Sequence, residues 1–122
     1  MARTAVTVTT FTANAGTTNP TGTTADPDTD HVISGVPAEE LLIRFANTNG
    51  TDRVATIVAG DNPPADAAGQ GNLDVTVPAT TGVVWVGPLT SARFVQNDGT
   101  ILVDLAASFA GTVTAYRVPR TA

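Results

Sequence analysis

Arg93-Phe94-Val95-Gln96-Asn97-Asp98-Gly99-Thr100-Ile101-Leu102-Val103-Asp104-Leu105 is the stretch that decides the fold class. Two runs, Arg93 to Asn97 and Thr100 to Leu105, flank the pair Asp98-Gly99. Asp-Gly between alternating runs predicts a two-residue type I′ hairpin. Glycine tolerates positive φ there, and the turn's twist matches the strands it joins. One hairpin of this kind makes the chain around it a β protein, and the same alternation recurs on both sides.

Downstream, Gly111 opens a last strand, Thr112 to Val118, which Pro119 ends. Upstream, Val83-Val84-Trp85-Val86 is a short apolar run between Gly82 and Gly87-Pro88, and reads as a strand buried on both faces. Leu73, Val75 and Val77 alternate with Asp74 and Thr76. Residues 60–71, with Pro63-Pro64 and Gly69-Gln70-Gly71, form a loop. In Arg53 to Ala59, Val54, Thr56 and Val58 oppose Ala55 and Ile57, and the valines are assigned to the core. Glu40 to Ala46 places Leu41, Ile43 and Phe45 on one face and Leu42 and Arg44 on the other. Glu39-Glu40-Leu41-Leu42 after Pro37 offers the start of a helical turn, but Ile43 and Phe45 fit a strand better. His31 to Ser34 and residues 5–11 complete the strands. No stretch sustains a 3.6-residue period.

Seven or eight short strands predict a single all-β domain, an antiparallel β-sandwich of jelly-roll-like kind. Residues 1–31 form an N-terminal strand and an extended arm or loop, and residues 32–122 the sandwich body. Thr, Asn, Gly, Pro and Asp dominate residues 12–31. A structureless stretch of that length is either a surface arm or a partner-binding one. Deleting 1–31 is expected to leave a folded body. The expected core is Val8, Leu41, Ile43, Phe45, Val54, Val58, Val75, Val77, Trp85, Phe94, Ile101, Val103, Leu105, Val113 and Ala115. Trp85 is its largest member, so its truncation to alanine is expected to cost about 3–5 kcal/mol.

Composition removes several functions. Six Lys+Arg, all arginine, against eleven Asp+Glu give a net charge of −5. An acidic chain lacks the basic face that phosphate neutralisation needs, so neither a nucleic acid nor an anionic membrane is an expected partner. The absence of cysteine excludes disulfides, thiolate chemistry and Cys-based zinc sites. One histidine excludes any site needing two imidazoles. Charged residues make up only 14% of the chain, and such a surface is easier to understand if a partner covers part of it. The N-terminus alternates apolar and polar residues, unlike a signal peptide, so synthesis in a cytoplasm is expected.

No chemical motif survives inspection. Asp26-Pro27-Asp28-Thr29-Asp30 has the D-x-D-x-D spacing of calcium loops, but His31 and Pro37 stand where that pattern needs Gly and a bidentate Glu. It reads as a solvated acidic turn. His31 has no nucleophile in a recognisable motif, since none of the serines sits in G-x-S-x-G. Asp74, Asp98 and Asp104 are explained by strand alternation and by a turn. Gly69-Gln70-Gly71 opens no helix, so it is no dinucleotide fingerprint. Asn49-Gly50-Thr51 reads as a turn rather than a glycosylation site. No enzyme activity, cofactor or metal is therefore expected. Trp85 and Tyr116 are the candidates for a sugar-stacking face, but six aromatics are too few for both a core and a platform.

The second half carries a family likeness. Arg53-Val54-Ala55-Thr56-Ile57-Val58-Ala59-Gly60-Asp61-Asn62-Pro63-Pro64 leads to Leu73-Asp74-Val75-Thr76-Val77-Pro78-Ala79, Val86-Gly87-Pro88, Ser91-Ala92-Arg93-Phe94-Val95-Gln96 and Gly111-Thr112-Val113-Thr114-Ala115-Tyr116-Arg117-Val118-Pro119-Arg120. Over residues 53–120 this resembles capsid decoration (cement) proteins of tailed phages of high-GC bacteria. The resemblance implies a non-enzymatic virion protein on the capsid exterior. Its partner would be the major capsid protein, with self-association as a trimer or other oligomer. Under that resemblance the contact residues are Val6, Val8 and Phe11 on the leading segment, with Arg3, Arg44 and Arg120 as rim charges. Alternatives are a carbohydrate- or cell-surface-binding β module on a fibre or baseplate, and a tail or neck connector.

Overall fold

A computed structural model of the chain describes residues 3–60 and 71–119. The chain is an all-β sandwich of two mixed, unclosed sheets, with ten strands among the described residues. In spatial order the first sheet contains β1 (Thr4–Ala5), β4 (His31–Ile33), β9 (Ile101–Leu105), β6 (Arg53–Ile57) and β7 (Leu73–Val77). The second contains β2 (Val8–Thr10), β10 (Gly111–Arg117), β5 (Leu41–Asn47) and β8 (Gly82–Val86). A further short strand, β3 (Thr23–Thr24), pairs with the start of β10 on the edge that β2 uses at its end. Most pairs are antiparallel; β1 with β4 and β2 with β10 run parallel.

β-branched residues and alternation explain the strands, and the alternation points their apolar faces inward. Leu41, Ile43 and Phe45 of β5 meet Val113 and Ala115 of β10, and Ala55, Ile57, Val77, Ile101, Val103 and Leu105 come from the first sheet. Phe45 and Phe109 pack edge to face, with ring centroids 6.5 Å apart. Ten of the fifteen expected core residues are buried; the exceptions are Val8, Val54, Val58, Val75 and Trp85. Val8 and Val75 are partly buried against the core.

Val54 and Val58 lie on the opposite face of their strand from the buried Ala55 and Ile57. The reason is the cross-strand partnership of Thr56, whose hydroxyl donates to Asp74 at 2.8 Å. With Asp74 held outward in solvent, Thr56 and its valine neighbours follow it. Trp85 is 52% exposed, because β8 is an edge strand whose alternation sends Val84 and Val86 inward and Val83 and Trp85 out.

The Asp98-Gly99 turn exists in a different form. Gly99 N–H donates to Gln96 O at 2.9 Å, and Gln96 N–H to Thr100 O at 2.8 Å. Gly99 has φ of 85°, while Asp98 does not enter the left-handed region that a type I′ turn requires. Asp98 instead accepts from the Thr100 hydroxyl and amide, which hold its carboxyl below the usual carboxylate range. Upstream of the turn Ser91–Phe94 is one helical turn, α1, rather than a strand. A 3-10 turn at Ala38–Glu40 precedes β5, so both readings of the Glu39-Glu40 segment hold in succession.

The leading segment is woven into the body. It supplies β1 to the first sheet and β2 and β3 to the second, and Val6 between them is buried. Removing 1–31 strips an edge from each sheet. Residues 12–19 remain exposed between β2 and β3. The loop expected over 60–71 lies, from 61 to 70, outside the described residues.

One polar side chain fixes the corner where the sheets exchange strands. Asn47 is 1% exposed, and its amide nitrogen lies within hydrogen-bonding distance of Thr51 O (3.0 Å), Val77 O (3.2 Å) and Pro78 O (3.3 Å). Its Oδ1 accepts from Asn49 N–H at 2.9 Å. These bonds tie the end of β5 to the turn between β7 and β8. In a denaturant titration, Asn47→Ala is expected to cost about 1–3 kcal/mol, because it strands buried backbone acceptors. Asn47→Asp should cost more at neutral pH, since a carboxylate would face the carbonyl oxygens that the amide now satisfies.

Candidate docking face

The outer face of the second sheet gathers aromatic residues from three chain regions. Arg44 pairs with Trp85 across β5 and β8, and Leu42 pairs with Tyr116 across β5 and β10. Ile43 and Phe45 point into the core, so Leu42 and Arg44 point out, and their partners with them. The Trp85 and Tyr116 rings lie 5.5 Å apart at 32°. Phe11, just past β2, is held by its N–H to Arg117 O at 2.9 Å. Its ring stacks on Tyr116 at 5.4 Å and 9°. The result is a row Phe11–Tyr116–Trp85, with the Arg44 guanidinium 6.0 Å from the indole centroid.

Tyr116 is only 4% exposed, covered by its two aromatic neighbours. Trp85 is the open end of the row, beside the exposed Val83. Beyond Leu42 a groove of about 380 Å³ is lined by Glu39, Glu40, Leu41, Leu42, Pro88, Val118 and Pro119. The Arg117 Nε–Glu40 ion pair, 2.8 Å long, braces its wall. The aromatic row thus exposes mainly Trp85 and lies on the same sheet as the apolar groove past Leu42.

The expected contact residues divide between this face and the interior. Phe11 and Arg44 belong to the aromatic row. Val6 is buried, and Val8 is partly buried against the core. Arg3 is engaged within the fold: Nη1 lies 2.6 Å from Asp104 Oδ1 and donates to His31 O and Val103 O, both at 3.3 Å. Arg120 lies outside the described residues. Trp85 was missing from the contact set because Val-Val-Trp-Val has no polar member to mark its outward face. Phe45, Phe94 and Phe109 lie in the core, Tyr116 is buried beneath Phe11 and Trp85, and Trp85 is the exposed member of the six aromatics.

Two carboxylates of the acidic turn, those of Asp26 and Asp30, accept from backbone amides. Asp26 Oδ1 accepts from Asp28 N–H at 3.2 Å and Thr29 N–H at 3.3 Å, while Asp30 Oδ1 accepts from Leu105 N–H at 2.9 Å. The Thr29 hydrogen bonds, chiefly, keep the Asp26 carboxyl below its ordinary value. Among the described residues no group of three or more His, Cys, Asp or Glu is placed to hold a metal ion. Asn49 caps its own turn, accepting from Thr51 N–H and hydroxyl at 3.0 Å each. No known family model, curated protein or solved structure matches the chain.

The exposure of the single tryptophan is directly measurable. Trp85→Ala is expected to cost about 1 kcal/mol, the worth of an exposed aromatic pair, in place of the core value expected from sequence. The native protein's fluorescence should be quenched readily by acrylamide, and a fully shielded indole would contradict the arrangement.

Proposed function

We propose that this chain is a non-enzymatic structural protein that adheres to the outside of a phage capsid through the outer face of its second sheet. The observation that carries the reading is Trp85, half-exposed on an edge strand and backed by Tyr116 and Arg44. Tryptophan, tyrosine and arginine are the residues that most often dominate protein–protein binding energy, and here they are already ordered before any partner arrives. A docked indole therefore loses little conformational entropy. The likeness over residues 53–120 to decoration proteins supplies the partner, the major capsid protein.

Purified virions should contain the chain at a fixed ratio to the major capsid protein, and its absence from particles would end this reading. Trp85→Ala should remain folded by circular dichroism while its cosedimentation with capsids falls about tenfold or more, the loss expected of an interface anchor.

The same Trp85–Tyr116 pair favours one second reading, a carbohydrate-binding module, since an exposed indole also stacks on a sugar ring. Repeatable glycan-array signal that Trp85→Ala abolishes, with capsid cosedimentation unchanged, would select it.

A further inference from the structure

His31 opens β4 with its side chain 0% exposed, between β1, β9 and the Asp26–Asp30 turn. Nδ1 lies 3.1 Å from Thr4 O, and Nε2 accepts from Asp26 N–H at 3.0 Å. A carbonyl only accepts and a peptide N–H only donates. The two backbone partners thus dictate one neutral tautomer, with the proton on Nδ1. A second proton, on Nε2, would point at the Asp26 N–H, and the imidazolium would have no acceptor in that direction.

We propose that His31 is an acid-labile latch: on gaining a second proton it frees residues 3–11 from both sheets and uncovers Tyr116. The leading segment is bonded to the body around the ring, where Arg3 also binds Asp104, His31 O and Val103 O and the Thr4 hydroxyl lies 2.8 Å from that of Thr29. Thr4 N–H donates to Asp30 O at 2.9 Å, Val6 N–H donates to Val32 O at 3.0 Å, and Thr4 O holds the imidazole. Losing the His31–Asp26 bond displaces the ring, and with it the seat of β1. Continuing along the chain, the segment carries β2 and then Phe11, whose ring covers Tyr116.

Burial sets the direction of the switch, being the largest influence and favouring the neutral ring. The Thr4 carbonyl, which accepts from the ring, and the Asp26 and Asp30 carboxylates oppose it by favouring an imidazolium, and Arg3 reinforces it. Arg3 is itself bound to Asp104 of β9. The net result is a pKa below the ordinary histidine value of 6.5. The latch is therefore fully closed above that value and opens as pH falls through the lowered one. Once protonated, the ring is drawn toward the two carboxylates of the partly exposed turn. The inference stands on the ring's backbone partners and holds whatever the aromatic row binds.

Amide hydrogen exchange on the intact chain tests it. Between about pH 7.5 and about pH 5, the Thr4 and Val6 amides should lose at least about tenfold of their protection after correction for intrinsic rates, while Phe45 and Val113 keep theirs. The loss should share its midpoint with the NMR titration of the chain's single imidazole. His31→Gln, whose amide can accept and donate as the neutral ring does, should abolish the acid step. Unchanged protection while the ring titrates would overturn the latch. So would a ring that stays neutral until global unfolding, or an identical acid step in His31→Gln. If that variant fails to fold, the wild-type comparison decides alone.

Discussion

Leu41–Asn47 and Gly111–Arg117 lie antiparallel along their whole length, and the rest of the second sheet is hung on that pairing. The free edge of β5 takes β8, and the free edge of β10 is shared by β3 and β2. Both strands bury alternate residues against the first sheet, so a one-residue slip would turn Ile43 and Phe45 to solvent. Two features pin the register at one end. Gly111, at φ of 122°, lets its backbone pass Ala46 O so closely that no Cβ would fit. Asn47, opposite it, is bonded to the corner between β7 and β8. The aromatic row is a product of this ladder, because Tyr116 and Trp85 meet only if Leu42 and Arg44 hold their partners in register.

Legibility in the sequence followed polarity contrast. β5, β7 and β9 each interrupt apolar residues with Arg44, Asp74 or Asp104, and their inward faces were readable from those charges alone. β6 offers two apolar parities, Val54/Val58 and Ala55/Ile57. The choice between them lies in a contact between strands, Thr56 with Asp74, that no single strand displays. β8 has no internal contrast at all. Its run of Val83 to Val86 reads equally well as a central strand or as an edge, and only its place in the sheet order separates the two. Of the expected contact residues, Phe11 and Arg44 lie on the aromatic row, whereas Val6 is buried and Val8 is partly buried against the core.

Residues 5–11 were readable as a strand from their alternation, while residues 12–31 were read as an arm or loop from their composition. The short strands of the leading segment are paired through backbone groups that every residue possesses. They attach to strands already fixed by packing: β1 to β4, β2 and β3 to β10. Such edges are held by few contacts and lie at the low-stability end of a fold. Integration into both sheets and the acid release proposed for the segment are therefore compatible.

The outer faces of the two sheets differ in kind, and the difference bears on which one meets a partner. The first carries Asp74, Thr56 and Asp104 in a row across β7, β6 and β9, with Arg3 bound to the last. The second carries Phe11, Tyr116 and Trp85, with Arg44 over the indole. In a chain with net charge −5, self-repulsion and hydration favour leaving the carboxylate row in water. Desolvating the aromatic row has the opposite sign, since apolar area leaves water and the one cation keeps its π partner. Edge strands in soluble proteins are usually guarded by charge or proline. β8 has neither between Gly82 and Val86, and its outward residues are apolar. Covering Trp85, as proposed, would take apolar area of this unguarded strand out of water.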